Sequence, residues 1–141
     1  MLVNHEGEED LKIVKELQRQ VASATTVVAG GGAMYLKGIF SEAEFVVASR
    51  YHALVSAMTQ AVPVIGMGWS HKYEELFLDF GISDYLVEVD DDGANIIDAI
   101  KLFVDDKQRD NVALSIERAA VQYKEHAKCM WTEIRDLMAN Q

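Results

Sequence analysis

Cysteine and positive charge are both scarce in this sequence of 141 residues. The one cysteine, Cys129, excludes an internal disulfide, and its helical surroundings favour a packed or half-buried helix residue over a reactive thiol. The formal net charge of −10 argues against a general nucleic-acid binder, which needs a basic face. No apolar run is long enough to cross a bilayer, and residues 1–10 lack the apolar core of a signal peptide. We therefore expect a soluble, cytoplasmic protein.

A regular alternation of strand and helix patterns runs along the chain. Half of the residues (50%) are hydrophobic and 26% are charged, which is typical of a globular protein. Apolar runs typical of strands lie at residues 1–3, 25–29, 45–48, 64–65 and 85–89. Most of these runs do not alternate with polar residues, as expected for a parallel sheet covered on both faces. We predict one Rossmann-like α/β domain over residues 1–141, with about five parallel strands flanked by helices.

The last predicted helix begins near Arg109 and continues almost to the end of the chain. Its apolar residues recur at three- and four-residue steps along one face: Val112, Ile116, Ala119, Tyr123, Ala127, Met130, Ile134 and Leu137. Because this stripe is single-sided, we expect it to lie across the domain or against a partner, including a second copy.

Two other motifs resemble ligand loops only weakly. Three glycines at residues 30–32 follow the second strand, but they lack the spacing of a dinucleotide or Walker loop, so a turn needing positive φ is the better interpretation. Three aspartates at residues 90–92 lack the later glutamate of a calcium loop, which favours helix capping. Because no histidines and carboxylates show convincing metal spacing, we predict no metal and no cofactor.

Two cationic turns follow consecutive strands in the middle of the chain. The arginine turn (residues 49–52) carries Arg50 and His52, and the lysine turn (residues 66–72) carries Lys72 with His71. In parallel α/β sheets, ligands bind outside the carboxyl ends of the strands. Local positive charge at that edge of an acidic protein indicates a binding site for an anion.

The arginine turn combines an arginine with the start of a helix. We predict that the helix begins at or just after His52, so that Arg50 and His52 point to the same side of extended chain. An arginine fork beside a helix N-terminus suits a phosphate or carboxylate. That N-terminus disfavours an imidazolium and a bound dianion favours it, so substrate binding would load His52 with a proton. The alternative is structural, with Arg50 paired to a nearby carboxylate and His52 capping or packing.

The lysine turn carries glycines that let backbone approach a ligand closely. Ser70 can cap the next helix, and Lys72 lies in its first turn, where a cation is unfavourable unless an anion is present. Trp69 can stack on a sugar or base, and packing in the core or on the surface explains it equally well. We predict that Ser49, Gly68, Ser70 and Lys72 bind substrate together with Arg50 and His52.

The segment from Ser49 through Pro63 to Lys72, followed by residues 76–81, resembles the polysaccharide pyruvyl transferase family. The shared features are a Ser-Arg-x-His segment, a helix of small residues, a Val-Pro strand, and a lysine after a turn with glycine and an aromatic residue. The resemblance implies transfer of pyruvate from phosphoenolpyruvate to two sugar hydroxyls as a ketal, in exopolysaccharide biosynthesis. It implies that Arg50 holds the phosphate or carboxylate, that His52 is the catalytic acid or base, and that Lys72 neutralises phosphate.

Enzymes of this family look like two-domain GT-B folds with the active site between the domains. The resemblance implies that this sequence is the C-terminal, donor-side domain, so we expect a missing N-terminal acceptor domain or a partner subunit. One alternative is the nucleotide-sugar domain of a GT-B glycosyltransferase, which has a similar helix, proline strand and turn. Another is a non-catalytic binding module that dimerises through its last helix.

Overall fold

The computed structural model describes residues 1–4, 7–21, 26–88 and 93–139. Strands and helices alternate along them in the predicted manner. The strands are β1 (Leu2–Asn4), β2 (Val27–Ala29), β3 (Val46–Ala48), β4 (Val64–Met67) and β5 (Leu86–Val87). The helices are α1 (Gly7–Gln20), α2 (Gly32–Ser41), α3 (Tyr51–Met58), α4 (His71–Asp79), α5 (Ala94–Leu102) and α6 (Asp106–Ala139). All paired strands are parallel, which confirms the predicted α/β class.

The five strands are divided between two sheets, one of two strands and one of three. The chain likewise divides into two compact units, Met1–Ile39 and Phe40–Gln141. In the first unit, β1 pairs with β2 from Leu2 opposite Val27 to Asn4 opposite Ala29. Helix α1 packs on this pair and buries Val14, whereas Leu17, three residues later, is 44% exposed.

The second unit is built around β4, which lies between β3 and β5. Val64 and Ile65 are completely buried there, as the apolar run without polar alternation predicts. Helix α3 packs on β3 and β4 and buries Leu54 and Met58, and α5 packs on β4 and β5. The second unit therefore holds most of the apolar core.

Gly66 in β4 shows how tightly this core is filled. A Cβ atom at Gly66 would overlap the completely buried ring of Phe77 from α4. A side chain at position 66 would therefore have to displace the helix that follows the lysine turn.

Helix α6 has two halves with different surroundings. Val112, Ile116 and Ala120 are buried in its first half, and Lys124 Nζ donates a hydrogen bond of 2.9 Å to the carbonyl oxygen of Thr59. Every residue from 121 to 139 is exposed. The predicted stripe is therefore a core face only in the first half of the helix.

Two predicted segments differ in detail from the structure. The strand expected at residues 85–89 begins at Leu86, after a 3-10 helix at Ser83–Tyr85, and its last residue lies outside the described residues. The aspartates at 90–92 also lie outside them, and the residue that caps α5 in the structure is Gly93, with φ of 70°. Within the described ranges, no helix combines the length and apolarity needed to cross a bilayer.

Replacing Gly66 with alanine should destabilise the fold, because the new methyl group overlaps the Phe77 ring. We expect a loss of about 1–3 kcal/mol in the free energy of unfolding, measured with urea. Gly38→Ala in α2 is the control, since open space surrounds that position and alanine favours a helix. Unfolding midpoints that fall equally in both variants would contradict this packing.

Candidate anion-binding site

The arginine turn lies between β3 and α3. Arg50 is the N-cap residue of α3, with extended backbone (φ −88°, ψ 123°), and its carbonyl oxygen accepts hydrogen bonds from the amides of Ala53 and Leu54. The helix therefore begins at Tyr51, one residue earlier than predicted, and the expected alternation of side chains does not extend through His52. Arg50 and His52 are both exposed beside the helix N-terminus, whose dipole favours anions.

The lysine turn lies between β4 and α4. Ser70 is the N-cap residue of α4 with extended backbone (φ −136°, ψ 154°), as predicted, but its side chain makes no cap hydrogen bond. Lys72 is the second residue of the helix and its side chain is exposed. Gly68 and Ser70 are half-buried.

Both turns lie at the same edge of one sheet. Strands β3 and β4 are adjacent and parallel, and Ala48 at the end of β3 is opposite Gly66 of β4. Parallel pairing places the residues that follow these strands side by side. The structure thus brings together the predicted site residues of the second unit. Gly30 follows β2, which belongs to the other sheet.

Tyr73 connects the two turns directly. Its hydroxyl donates a hydrogen bond of 2.9 Å to the carbonyl oxygen of Ser49, and only 4% of the residue is exposed. Its ring meets the Tyr51 ring edge to face, with centroids 5.5 Å apart. A Cβ atom at Gly68 would overlap the Tyr73 ring, so a glycine is needed where the backbone passes over it.

The ammonium group of Lys72 lies over this aromatic pair. Its Nζ atom is 5.0 Å from the centroid of the Tyr51 ring and 5.4 Å from that of Tyr73. The faces of the two rings attract a cation, which offsets part of the unfavourable position of Lys72 in the first turn of α4. Since Tyr51 begins α3, Lys72 is held beside the arginine turn as well.

His71 does not share the role of Lys72. Its Nδ1 is 3.1 Å from Glu74 Oε2 and its Nε2 is 3.1 Å from Glu75 Oε1. The hydrogen bond with Glu74, followed by the charge of Glu75, raises the pKa of His71 above its ordinary value of 6.5. The charge of His71 is therefore matched within α4, which leaves Lys72 as the main cation of the lysine turn.

The aromatic part of this site was not predicted. Neither Tyr51 nor Tyr73 was assigned a role from the sequence. Tyr73, Leu76 and Phe77 share the buried face of α4, so helical spacing identifies Tyr73 as a core residue. The spacing does not show that its hydroxyl reaches Ser49. In the described part of the chain, no group of three or more histidine, cysteine or acidic residues is placed to hold a metal.

The architecture and the position of these turns define an α/β protein with its candidate site at the carboxyl edge of a parallel sheet, where ligands bind in such folds. A sequence model of the polysaccharide pyruvyl transferase family matches residues 1–71, just over half of the chain. The chain therefore belongs to this family, which confirms the resemblance noted from its motifs. The matched segment contains the arginine turn and ends one residue before Lys72. No curated protein and no solved structure matches the chain significantly.

The ion pairs of His71 predict how it titrates. Because its pKa is raised in the folded protein, the pairs stabilise the fold below pH 6.5, and this contribution is lost as the pH rises through the higher folded value. We expect NMR to find the protonation midpoint of His71 above 6.5, and to find it lower in the double variant Glu74→Gln, Glu75→Gln. An unchanged midpoint in that variant would show that the carboxylates do not hold the proton.

Proposed function

We propose that this chain supplies the donor-binding half of a polysaccharide pyruvyl transferase, with phosphoenolpyruvate as the donor. The observation that carries the proposal is the pair of cationic turns joined by Tyr73 at one sheet edge. Arg50 provides a forked set of hydrogen-bond-donating N–H groups, the α3 N-terminus provides a helix dipole, and Lys72 provides a compact positive charge. Phosphoenolpyruvate carries a phosphate and a carboxylate on adjacent positions, so it can engage both turns at once.

The reaction assigns the site a defined chemical task. A proton adds to the methylene carbon of the enol phosphate, and the C2 carbon becomes electrophilic. One sugar hydroxyl adds to C2, the C–O bond to phosphate breaks, and the second hydroxyl closes the ketal. The products are the pyruvyl ketal and inorganic phosphate. Of the two hydroxyl protons, one replaces the proton given to the methylene carbon and the other protonates the departing phosphate.

His52 is our candidate for proton transfer in this sequence. It is exposed at the start of α3, two residues after Arg50, and its ring meets the Tyr51 ring edge to face at 6.1 Å between centroids. An imidazole there can give a proton to the methylene carbon or take one from a sugar hydroxyl. Arg50 and Lys72 would stabilise the phosphate as it leaves.

The acceptor saccharide needs a binding surface that extends beyond the two turns. By analogy with two-domain GT-B enzymes, we propose that a second domain or subunit holds it over the two turns, in a cytoplasmic enzyme of exopolysaccharide biosynthesis. The exposed half of α6 supports the existence of such a partner. Met130, Trp131 and Leu137 are 48%, 63% and 69% exposed there. The same observation supports a second candidate function, a non-catalytic module that dimerises through α6.

Removing the Arg50 side chain should weaken phosphoenolpyruvate binding, measured by isothermal titration calorimetry. Loss of a charge-assisted contact should cost about 2–3 kcal/mol, or roughly 30- to 150-fold in affinity. Arg135→Ala is the matched control, because it removes the same charge from the exposed half of α6. We expect the affinity of this control to equal that of the unchanged chain.

Other outcomes of the same titration would favour the alternatives. Tight binding of a nucleotide-sugar in place of phosphoenolpyruvate would favour the glycosyltransferase domain. If neither donor binds and the chain sediments as a tight dimer, the dimerisation module is the better account. Equal losses in Arg50→Ala and Arg135→Ala would show that only the net charge matters.

A further inference from the structure

Trp69 is the largest side chain of the lysine turn, and the proposed binding of phosphoenolpyruvate gives it no role. It is 80% exposed, although tryptophan is among the side chains that gain most from burial. This exposure excludes the core packing that the sequence left open. A tryptophan residue that keeps four-fifths of its accessible surface must present at least one face of its ring to solvent.

The backbone that carries Trp69 is fixed on both sides. Gly68 passes directly over the Tyr73 ring, and Ser70 is the N-cap residue of α4. The Trp69 ring itself lies against Tyr73, with centroids 5.9 Å apart and planes tilted by 37°. Tyr73 is in turn bonded to Ser49. The exposed ring of Trp69 therefore packs on Tyr73, the residue that joins the two turns.

We propose that the exposed face of Trp69 binds a pyranose ring of the saccharide acceptor. One face of many pyranoses is a flat patch of C–H groups with slight positive charge, which complements the negative face of an indole. Trp69 is three residues before Lys72 in the same turn, so a sugar stacked there lies next to the donor site. The identity of the donor, and the assignment of this saccharide as the acceptor, rest on the function proposed above.

The openness of the ring favours a saccharide over a nucleobase. A specifically bound base is normally enclosed and read along its edges, whereas a polymer of sugars must be able to extend beyond its binding residue in both directions. An 80% exposed ring at the end of β4 satisfies the second requirement. The family to which the chain belongs also acts on polysaccharide, according to its name.

The two tryptophans of the chain make a direct test possible, because each gives one indole N–H signal in an NMR spectrum. The probes are methyl β-D-galactopyranoside and cellotetraose, both titrated without phosphoenolpyruvate. We expect the Trp69 signal to move and the Trp131 signal to stay fixed. Stacking contacts on nucleic-acid bases are worth roughly 5- to 150-fold in affinity, and we expect Trp69→Ala to weaken saccharide binding about tenfold.

Two further variants separate stacking from general damage. Trp69→Phe keeps an aromatic face and should retain most of the affinity. Trp131→Ala removes the other exposed indole, on α6, and should bind the saccharides like the unchanged chain. A Trp69 signal that responds to neither saccharide, or to adenosine monophosphate alone, would overturn the proposal. Equal saccharide affinity in Trp69→Ala and the unchanged chain would overturn it as well.

The donor is tested separately, by titrating the unchanged chain with phosphoenolpyruvate. If phosphoenolpyruvate fails to bind while the saccharides move Trp69, the proposed donor is wrong and the saccharide site stands. If phosphoenolpyruvate binds and the saccharides do not, the donor site stands and the inference on Trp69 is wrong.

Discussion

The hydrogen bond from the Tyr73 hydroxyl to the Ser49 carbonyl oxygen is the contact on which the candidate site depends. It connects α4 to the end of β3 across 24 residues of sequence. The buried Tyr73 ring also supports Trp69, meets Tyr51 and lies below Lys72. These contacts require a glycine at position 68. One buried ring therefore contacts both turns of the candidate site.

Electrostatics gives this small cluster its significance. The chain has a net charge of −10, so an anionic ligand is repelled by most of the molecule. The charge of His71 is matched by Glu74 and Glu75, so our proposal places the attraction for an anion on Arg50 and Lys72. Because both are exposed, added salt should screen that attraction.

The sequence was sufficient to predict the parallel α/β class and the two turns, since both follow from local patterns. Apolar runs identify β3 and β4. Because neighbouring parallel strands end at the same edge of a sheet, the residues that follow β3 and β4 lie at one edge. The contact between Tyr73 and Ser49 was not predictable, because a hydroxyl reaching a distant carbonyl leaves no periodic signal. The apolar stripe of α6 predicted a buried face, but the spacing of its apolar residues does not show where along the helix that burial ends. The division of five strands between two sheets was also not predictable, because an apolar run indicates a strand but does not show which other strand it pairs with.

The central claim is that one anion engages both turns, and amide NMR with phosphoenolpyruvate tests it most directly. The account predicts that the amides of Tyr51 and His52 and those of Ser70 and Lys72 shift together, with one dissociation constant. It further predicts that Tyr73→Leu uncouples the two responses, because the ring that joins the turns is gone. Shifts confined to one turn, or different dissociation constants for the two, would contradict the account.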